Sequence, residues 1–194
     1  MSRKTTTLGE MLFVQNKGLV TRLRPSTKVK QGAEETYKNV LLDIGVHALY
    51  EPLDLYYGKL KGQRNSYCPD FLLPHNYING KPVILEPHAG YLLDMDYLKK
   101  IDIVRETYGL YIVVSSGFGN FRPDNQRVED VMNHGSIFVD ELWLSNYRDL
   151  DLDLRWNITR LLKESEVRSE SALPDLLKMS DMLRISIDNN GNGK

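Results

Sequence analysis

The chain has 194 residues, a hydrophobic fraction of 41%, a charged fraction of 26% and a formal net charge of −1. That length suits one domain with a real core, and near-neutral charge is no footprint of a general nucleic-acid binder. A single cysteine, Cys68, excludes an internal disulfide and a multi-cysteine zinc cage. No window approaches the roughly 20 apolar residues of a membrane span, and the opening Met1-Ser-Arg-Lys-Thr-Thr-Thr lacks the apolar core of a secretory signal. An intracellular, cytoplasmic setting is therefore expected.

Residues 1–25 show no clear period, although Met11-Leu-Phe-Val suits a short strand or a docking element. Arg3, Lys4, Lys17, Arg22, Arg24, Lys28 and Lys30 face only Glu10 over this first stretch, so it reads as a basic arm. A helix is predicted from Ser26. Glu34, Tyr37, Leu41 and Ile44 recur at three- and four-residue steps, and Gly45 stands where a helix stops. Residues 47–57 read as a strand followed by a polar turn over 59–65. Residues 66–73 form a second strand and 81–88 a third, with Pro74 and Asn79-Gly80 between them. Residues 94–108 make a helix with Leu98, Ile101, Val104 and Tyr108 on its apolar face. The apolar run 110–115 is a buried strand. A loop over 117–123, a helix over 125–133, a strand over 136–139 and a helix over 155–165 follow. Residues 173–183 are a modest amphipathic element, and the Asn- and Gly-rich stretch from 188 reads as a disordered tail. The order implies an α/β fold with helices flanking a sheet.

Side chains alternate along a strand, so Asp70 shares a face with Leu72, and Glu86 shares one with Ile84 and His88. If the second and third strands pair as a hairpin about Ile78, Asp70 lies directly across from Glu86. Directly opposed side chains have Cβ atoms roughly 4.5–5.5 Å apart. Two carboxylates that close raise each other's proton affinity unless a cation lies between them. Each sits in an apolar run, Phe71-Leu-Leu and Val83-Ile-Leu, where an unpaired charge is costly. The ordinary alternative is a strand-ending Asp70 and a solvated edge Glu86.

Tyr67-Cys-Pro-Asp-Phe-Leu-Leu-Pro followed by Lys81-Pro-Val-Ile-Leu-Glu-Pro-His-Ala-Gly resembles the signature of the PD-(D/E)XK nuclease superfamily. There a Pro-Asp ends one strand and a Glu-x-Lys lies on the next. Upstream, Ala33-Glu-Glu, Leu41, Ile44-Gly-Val and Tyr50-Glu-Pro resemble the first helix and strand of that fold. Downstream, Tyr97-Leu-Lys-Lys and Tyr108-Gly-Leu-Tyr-Ile-Val-Val resemble the helix and strand that complete it. The likeness spans about residues 26–116. It implies a restriction-endonuclease-like core: a helix, three antiparallel strands, a helix and a strand, in a mixed sheet flanked by helices. Under it, the chain divides into an arm (1–25), the core (26–140), a C-terminal helical extension (141–187) and the tail (188–194).

The resemblance also implies roles. Asp70, Glu86 and the Pro87 carbonyl would bind Mg²⁺ or Mn²⁺, with Glu34 of the first helix acting directly or through a water. The family's lysine two residues after the glutamate is His88 in this chain. Some branches lose that lysine and use a basic residue of the following helix, for which Lys100 is the first candidate and Lys99 the second. For each of these the bland alternative, a solvated helix face or a hydrogen-bonded strand histidine, weighs about equally. Pro87 lacks an N–H and suits a strand edge or bulge better than a central strand. Arg22, Arg24, Lys28 and Lys30 are candidates for the DNA backbone. The function expected is a metal-dependent DNA endonuclease, structure-specific like a Holliday-junction resolvase, acting as a homodimer. The alternative is a catalytically lapsed nuclease fold serving as a DNA-binding or recombination subunit. His75 and His134 are expected on the surface, Cys68 as a small packed side chain. Ser115-Ser-Gly-Phe-Gly-Asn reads as a flexible turn, with phosphate cradling the less favoured use.

Overall fold

Proline placement and one tight turn set the architecture. A computed structural model of the chain describes residues 33–60, 63–89, 93–118, 126–146 and 150–191. The first helix, α1 (Ala33–Ile44), buries Tyr37, Val40 and Leu41 at the predicted spacing. It stops at Gly45, whose φ of 76° is the left-handed geometry a glycine adopts freely. Its expected start at Ser26 lies outside the described residues, as do Arg22, Arg24, Lys28 and Lys30.

The strand expected over 47–57 is two. β1 (Leu49–Tyr50) ends where Glu51 takes a positive φ of 42° and Pro52 follows. The chain then forms β2 (Leu55–Leu60) and β3 (Gln63–Tyr67), an antiparallel ribbon paired only with itself. The region expected to be a polar turn is thus mostly strand, and Ser66 and Tyr67 belong to this ribbon. A new strand, β4 (Phe71–Ile78), begins after Cys68-Pro69-Asp70.

β4 pairs antiparallel with β5 (Lys81–Ala89). The turn is Asn79-Gly80, both with positive φ (52° and 77°), as a two-residue hairpin of this hand requires. The register near the turn is Tyr77↔Pro82, whereas nearer the site it is Leu73↔Val83, Leu72↔Ile84 and Phe71↔Leu85. A bulge on β4 between Leu73 and Tyr77 absorbs the difference. Two carbonyls of that bulge remain bonded, Pro74 accepting from the Ala172 N–H and His75 from the Arg168 N–H.

The second helix, α2 (Met95–Tyr108), is capped by Asp94, whose carboxylate accepts from the Tyr97 N–H at 2.8 Å, and by Gly109 with φ 60°. It buries Leu98, Ile101, Val104 and Tyr108, as predicted. β6 (Tyr111–Phe118) runs parallel to β5, and β7 (Glu141–Asn146) parallel to β6. Between them lie α3 (Gln126–His134) and a 3₁₀ turn (Gly135–Ile137), which replaces the strand expected over 136–139. α4 (Leu150–Glu164), the two-residue β8 (Glu166–Val167) and α5 (Leu173–Gly191) complete the described chain. α5 carries residues 188–191, which were expected to be disordered.

The central sheet has the order β1-β4-β5-β6-β7, with β8 also on β4. One face packs Phe71, Leu73, Val83, Leu85 and Val113 against Tyr37, Val40 and Leu41 of α1 and Leu154, Ile158 and Leu161 of α4. The other packs Leu72, Ile84, Ile112 and Val114 against α2 and α5. The fold is α/β, a mixed sheet between helices. β7 and α4 share the sheet and its core, so the boundary expected at residue 140 does not divide the structure. Among the described residues no helix is long and apolar enough to cross a membrane.

Candidate functional site

Three strands meet where β1 ends, β4 begins and β5 continues. Glu51 donates its N–H to the Asp70 carbonyl at 2.9 Å, closing the β1 side. On the β5 side the Asp70 N–H donates to Glu86 Oε1 at 2.8 Å. Asp70 and Glu86 are therefore brought together, as the predicted register requires. Glu86 is 2% exposed and lies on the α2 side of the sheet. Its other oxygen, Oε2, accepts from the Tyr97 hydroxyl at 2.9 Å.

Burial pushes the Glu86 carboxyl up to about 7, against the pull of the Tyr67 hydroxyl, the Asp70 N–H, the Tyr97 hydroxyl and the Lys100 ammonium. Both carboxylates share a ring of tyrosines. Burial raises the Tyr37, Tyr67 and Tyr97 hydroxyls, and the charges of Glu86 and Asp70 raise all three further. Tyr50 is raised by burial and by its bond to Glu34, with Asp70 adding to it. These phenols stay protonated and present O–H donors.

Lys100 sits with its ammonium 5.6 Å from the centre of the Tyr67 ring. Lys99 turns outward to pair with Asp96 at 3.4 Å across exposed surface. Of the two lysines, Lys100 therefore belongs to the site. His88 is half-buried, its ring stacked on Tyr97 at 4.2 Å and 17°, and its carbonyl accepts from Ser116 Oγ at 3.0 Å.

Pro87 resolves simply. β4 pairing ends at Phe71↔Leu85, so at Pro87 only β6 flanks the strand, through Pro87↔Ser115. A proline is tolerated because this stretch of a central strand is locally an edge.

Glu34 does not join the pair directly. It lies in the first turn of α1 and accepts from the Tyr50 hydroxyl at 2.5 Å. Among the described residues no three His, Cys, Asp or Glu side chains gather as a ready-made metal cage. Glu34 is thus seen in contact with Tyr50, whose hydroxyl Asp70 also influences, and the three carboxylates do not gather into one cluster among the described residues. What meets here is the Asp70 backbone N–H and the Glu86 carboxylate, with Pro87 following in the strand. Beside them the buried Tyr67 hydroxyl faces the Glu86 carboxylate and helps to hold its charge. The side chains of Asp70 and Glu86 and the carbonyl of Pro87 offer oxygen donors, the kind a hard divalent cation takes.

Tyr67 and Tyr97 are site residues that the sequence pattern did not single out. Tyr97 was within reach of it, since it precedes Lys100 by three residues and so shares its helix face. Tyr67 had no periodic signal, because Cys68-Pro69 interrupts the strand. Other expectations shift. His75 is on β4, its ring stacked on His47 at 5.5 Å, rather than in a loop. Ser115 and Ser116 are buried in β6, Ser115 accepting from the Tyr37 hydroxyl, so they form no flexible turn. Cys68 is half-buried and in no disulfide. His134 is exposed at the end of α3. The chain matches no protein-family model, no curated protein and no solved structure.

Proposed function

We propose that the protein is a metal-dependent DNA endonuclease of the PD-(D/E)XK kind, with Asp70 and Glu86 at its centre. The observation that carries this reading is the buried Glu86 carboxylate receiving the Asp70 N–H at the point where β1 and β4 give way. The element order supports it: α1, then β1, β4 and β5 antiparallel in turn, then α2 and a β6 parallel to β5. In this reading the β2–β3 ribbon is an insertion between the first two core strands.

Asp70, Glu86 and the Pro87 carbonyl would hold Mg²⁺ or Mn²⁺, hard ions that favour oxygen donors. Such an ion, once bound, lowers the pKa of its water and offsets charge on a phosphodiester. The chain's own residues do the rest. Lys100, whose charge reaches Glu86, supplies the positive charge beside the carboxylates. Tyr97 fixes the Glu86 carboxylate and the His88 ring together. Arg22, Arg24, Lys28 and Lys30 would contact the DNA backbone. The ribbon leaves the site at Tyr67, and its sequence between Tyr56 and Tyr67 has Lys59, Lys61 and Arg64 and no acidic residue.

The second reading is a lapsed nuclease fold that binds DNA without cutting it. The observation favouring it is that no three His, Cys, Asp or Glu side chains gather among the described residues, Glu34 being in contact with Tyr50. A panel of linear, flapped and four-way DNA, each with Mg²⁺ and with Mn²⁺, separates the two. The endonuclease reading expects cleavage of at least one branched substrate. Salt-dependent binding without cleavage under any of these conditions would establish the lapsed form instead.

A further inference from the structure

We infer that the β2–β3 ribbon is a grip for duplex DNA, with Lys59 and Arg64 as its phosphate-binding residues. This rests on the DNA-binding part of the proposed function and deepens it, because it names the element that holds the substrate, whether or not a bond is then cut.

Four observations carry it. From Leu55 to Pro69 the sequence has Lys59, Lys61 and Arg64 and no acidic residue, in a chain whose net charge is −1. Lys59 and Arg64 are also direct partners in the register of the ribbon. Like charges opposed across two strands weaken the pairing. The placement therefore serves poorly as scaffold and well as a site for a polyanion, whose phosphates relieve the repulsion. Third, alternation along β3 puts Arg64 on the face of exposed Ser66, opposite buried Tyr67, and Lys59 shares that outer face as its partner. Last, among the described residues neither ribbon strand pairs with the central sheet. A two-stranded ribbon is a shape that the DNA major groove admits.

The base of the ribbon is tied to the site. Tyr56 donates its N–H to Ser180 Oγ of α5 at 3.2 Å, and its carbonyl accepts from the Tyr108 hydroxyl of α2 at 2.7 Å. On the other strand, Tyr67 pairs with Leu55 and lies beside Glu86. A duplex held by the ribbon is thereby led to the carboxylates.

The test uses the full chain in chelator, with a short fluorescent DNA duplex titrated over a range of salt. Wild type is compared with the pair Lys59→Gln/Arg64→Gln. A control pair, Lys81→Gln in β5 with Lys163→Gln in α4, removes equal charge elsewhere. The ribbon pair is expected to weaken binding about tenfold or more at low salt. It should also lower the slope of log affinity against log salt by about 2, one for each lost phosphate contact. Its melting temperature should stay level or rise, since two opposed charges have gone. A ribbon pair that binds as the control pair does overturns the inference, and so does one that melts lower, which would make Lys59 and Arg64 structural. Loss of binding to phosphatidylserine vesicles with DNA affinity intact would assign the ribbon to a membrane surface and overturn it as well. Ribbon-dependent DNA binding without nicking by wild type would end the endonuclease reading and leave the grip standing. If wild type binds no duplex, both fall.

Discussion

Replacing Glu86 with glutamine isolates the energetic consequence of burying one carboxylate. The side chain is 2% exposed, and burial moves its carboxyl from the ordinary 4.5 to about 7. A folded-state value above the unfolded one means that the native protein holds this proton more tightly. Its contribution to stability is complete below pH 4.5 and is lost as the pH rises through 7. At roughly 1.4 kcal/mol per tenfold change in proton affinity, the rise from 4.5 to about 7 corresponds to about 3 kcal/mol. Glutamine keeps the shape and does not titrate. Urea unfolding in chelator across pH 4.5–8 should therefore show wild type losing stability relative to Glu86→Gln, by about 3 kcal/mol over that span. Parallel stability curves for the two proteins would refute the reasoning, because they would mean that the carboxylate is solvated or already ionised by an unseen partner.

Tyr97→Phe removes the donor to Glu86 Oε2; it should cost about 2 kcal/mol at pH 8 and less at pH 5, where the carboxyl is protonated, measured by urea unfolding. Because that hydrogen bond lowers the Glu86 pKa, its loss should also move the pH midpoint upward. Gly80→Ala places a Cβ at a φ of 77° and should lower stability by about 1 kcal/mol, seen as a smaller urea midpoint with unchanged m-value. Glu141 accepts from the Tyr111 hydroxyl, the Trp143 indole and Arg160. Glu141→Ala strands the first two and should cost about 2 kcal/mol by thermal or chemical unfolding.

What could be read in advance follows physical lines. α1 and α2 have apolar residues at helical spacing and glycines at their ends, and both appear as expected. The Asp70–Glu86 register was reached by a hairpin centred on Ile78. The chain instead turns at Asn79-Gly80, and a bulge at Pro74-His-Asn restores that register at the site. A bulge has no strong local signature, so the agreement arose from two compensating departures. β3 was hidden because most of its residues, Gln63-Arg-Asn-Ser, are polar. Two-stranded pairing rests on backbone hydrogen bonds and needs no alternating apolar pattern. β7 was misplaced by a few residues: Asp140 bonds back to Ile112 through both backbone and side chain, and the strand begins only after it. Glu34 looked like a site residue because it shares a helix face with Tyr37. In the structure its carboxylate accepts from the Tyr50 hydroxyl, which helical spacing alone does not foretell. The approach of Asp70 to the Glu86 carboxylate was legible from alternation and register. Its tyrosine surroundings were not, since they come from four separate elements.

The most direct test of the central claim is nicking of supercoiled plasmid DNA by wild type and Asp70→Ala, purified side by side, with Mn²⁺ and with chelator. The account predicts nicking by wild type with Mn²⁺, none in chelator, and none by Asp70→Ala although it remains folded. Nicking that survives the loss of Asp70, or no nicking by wild type with any divalent ion, would contradict it.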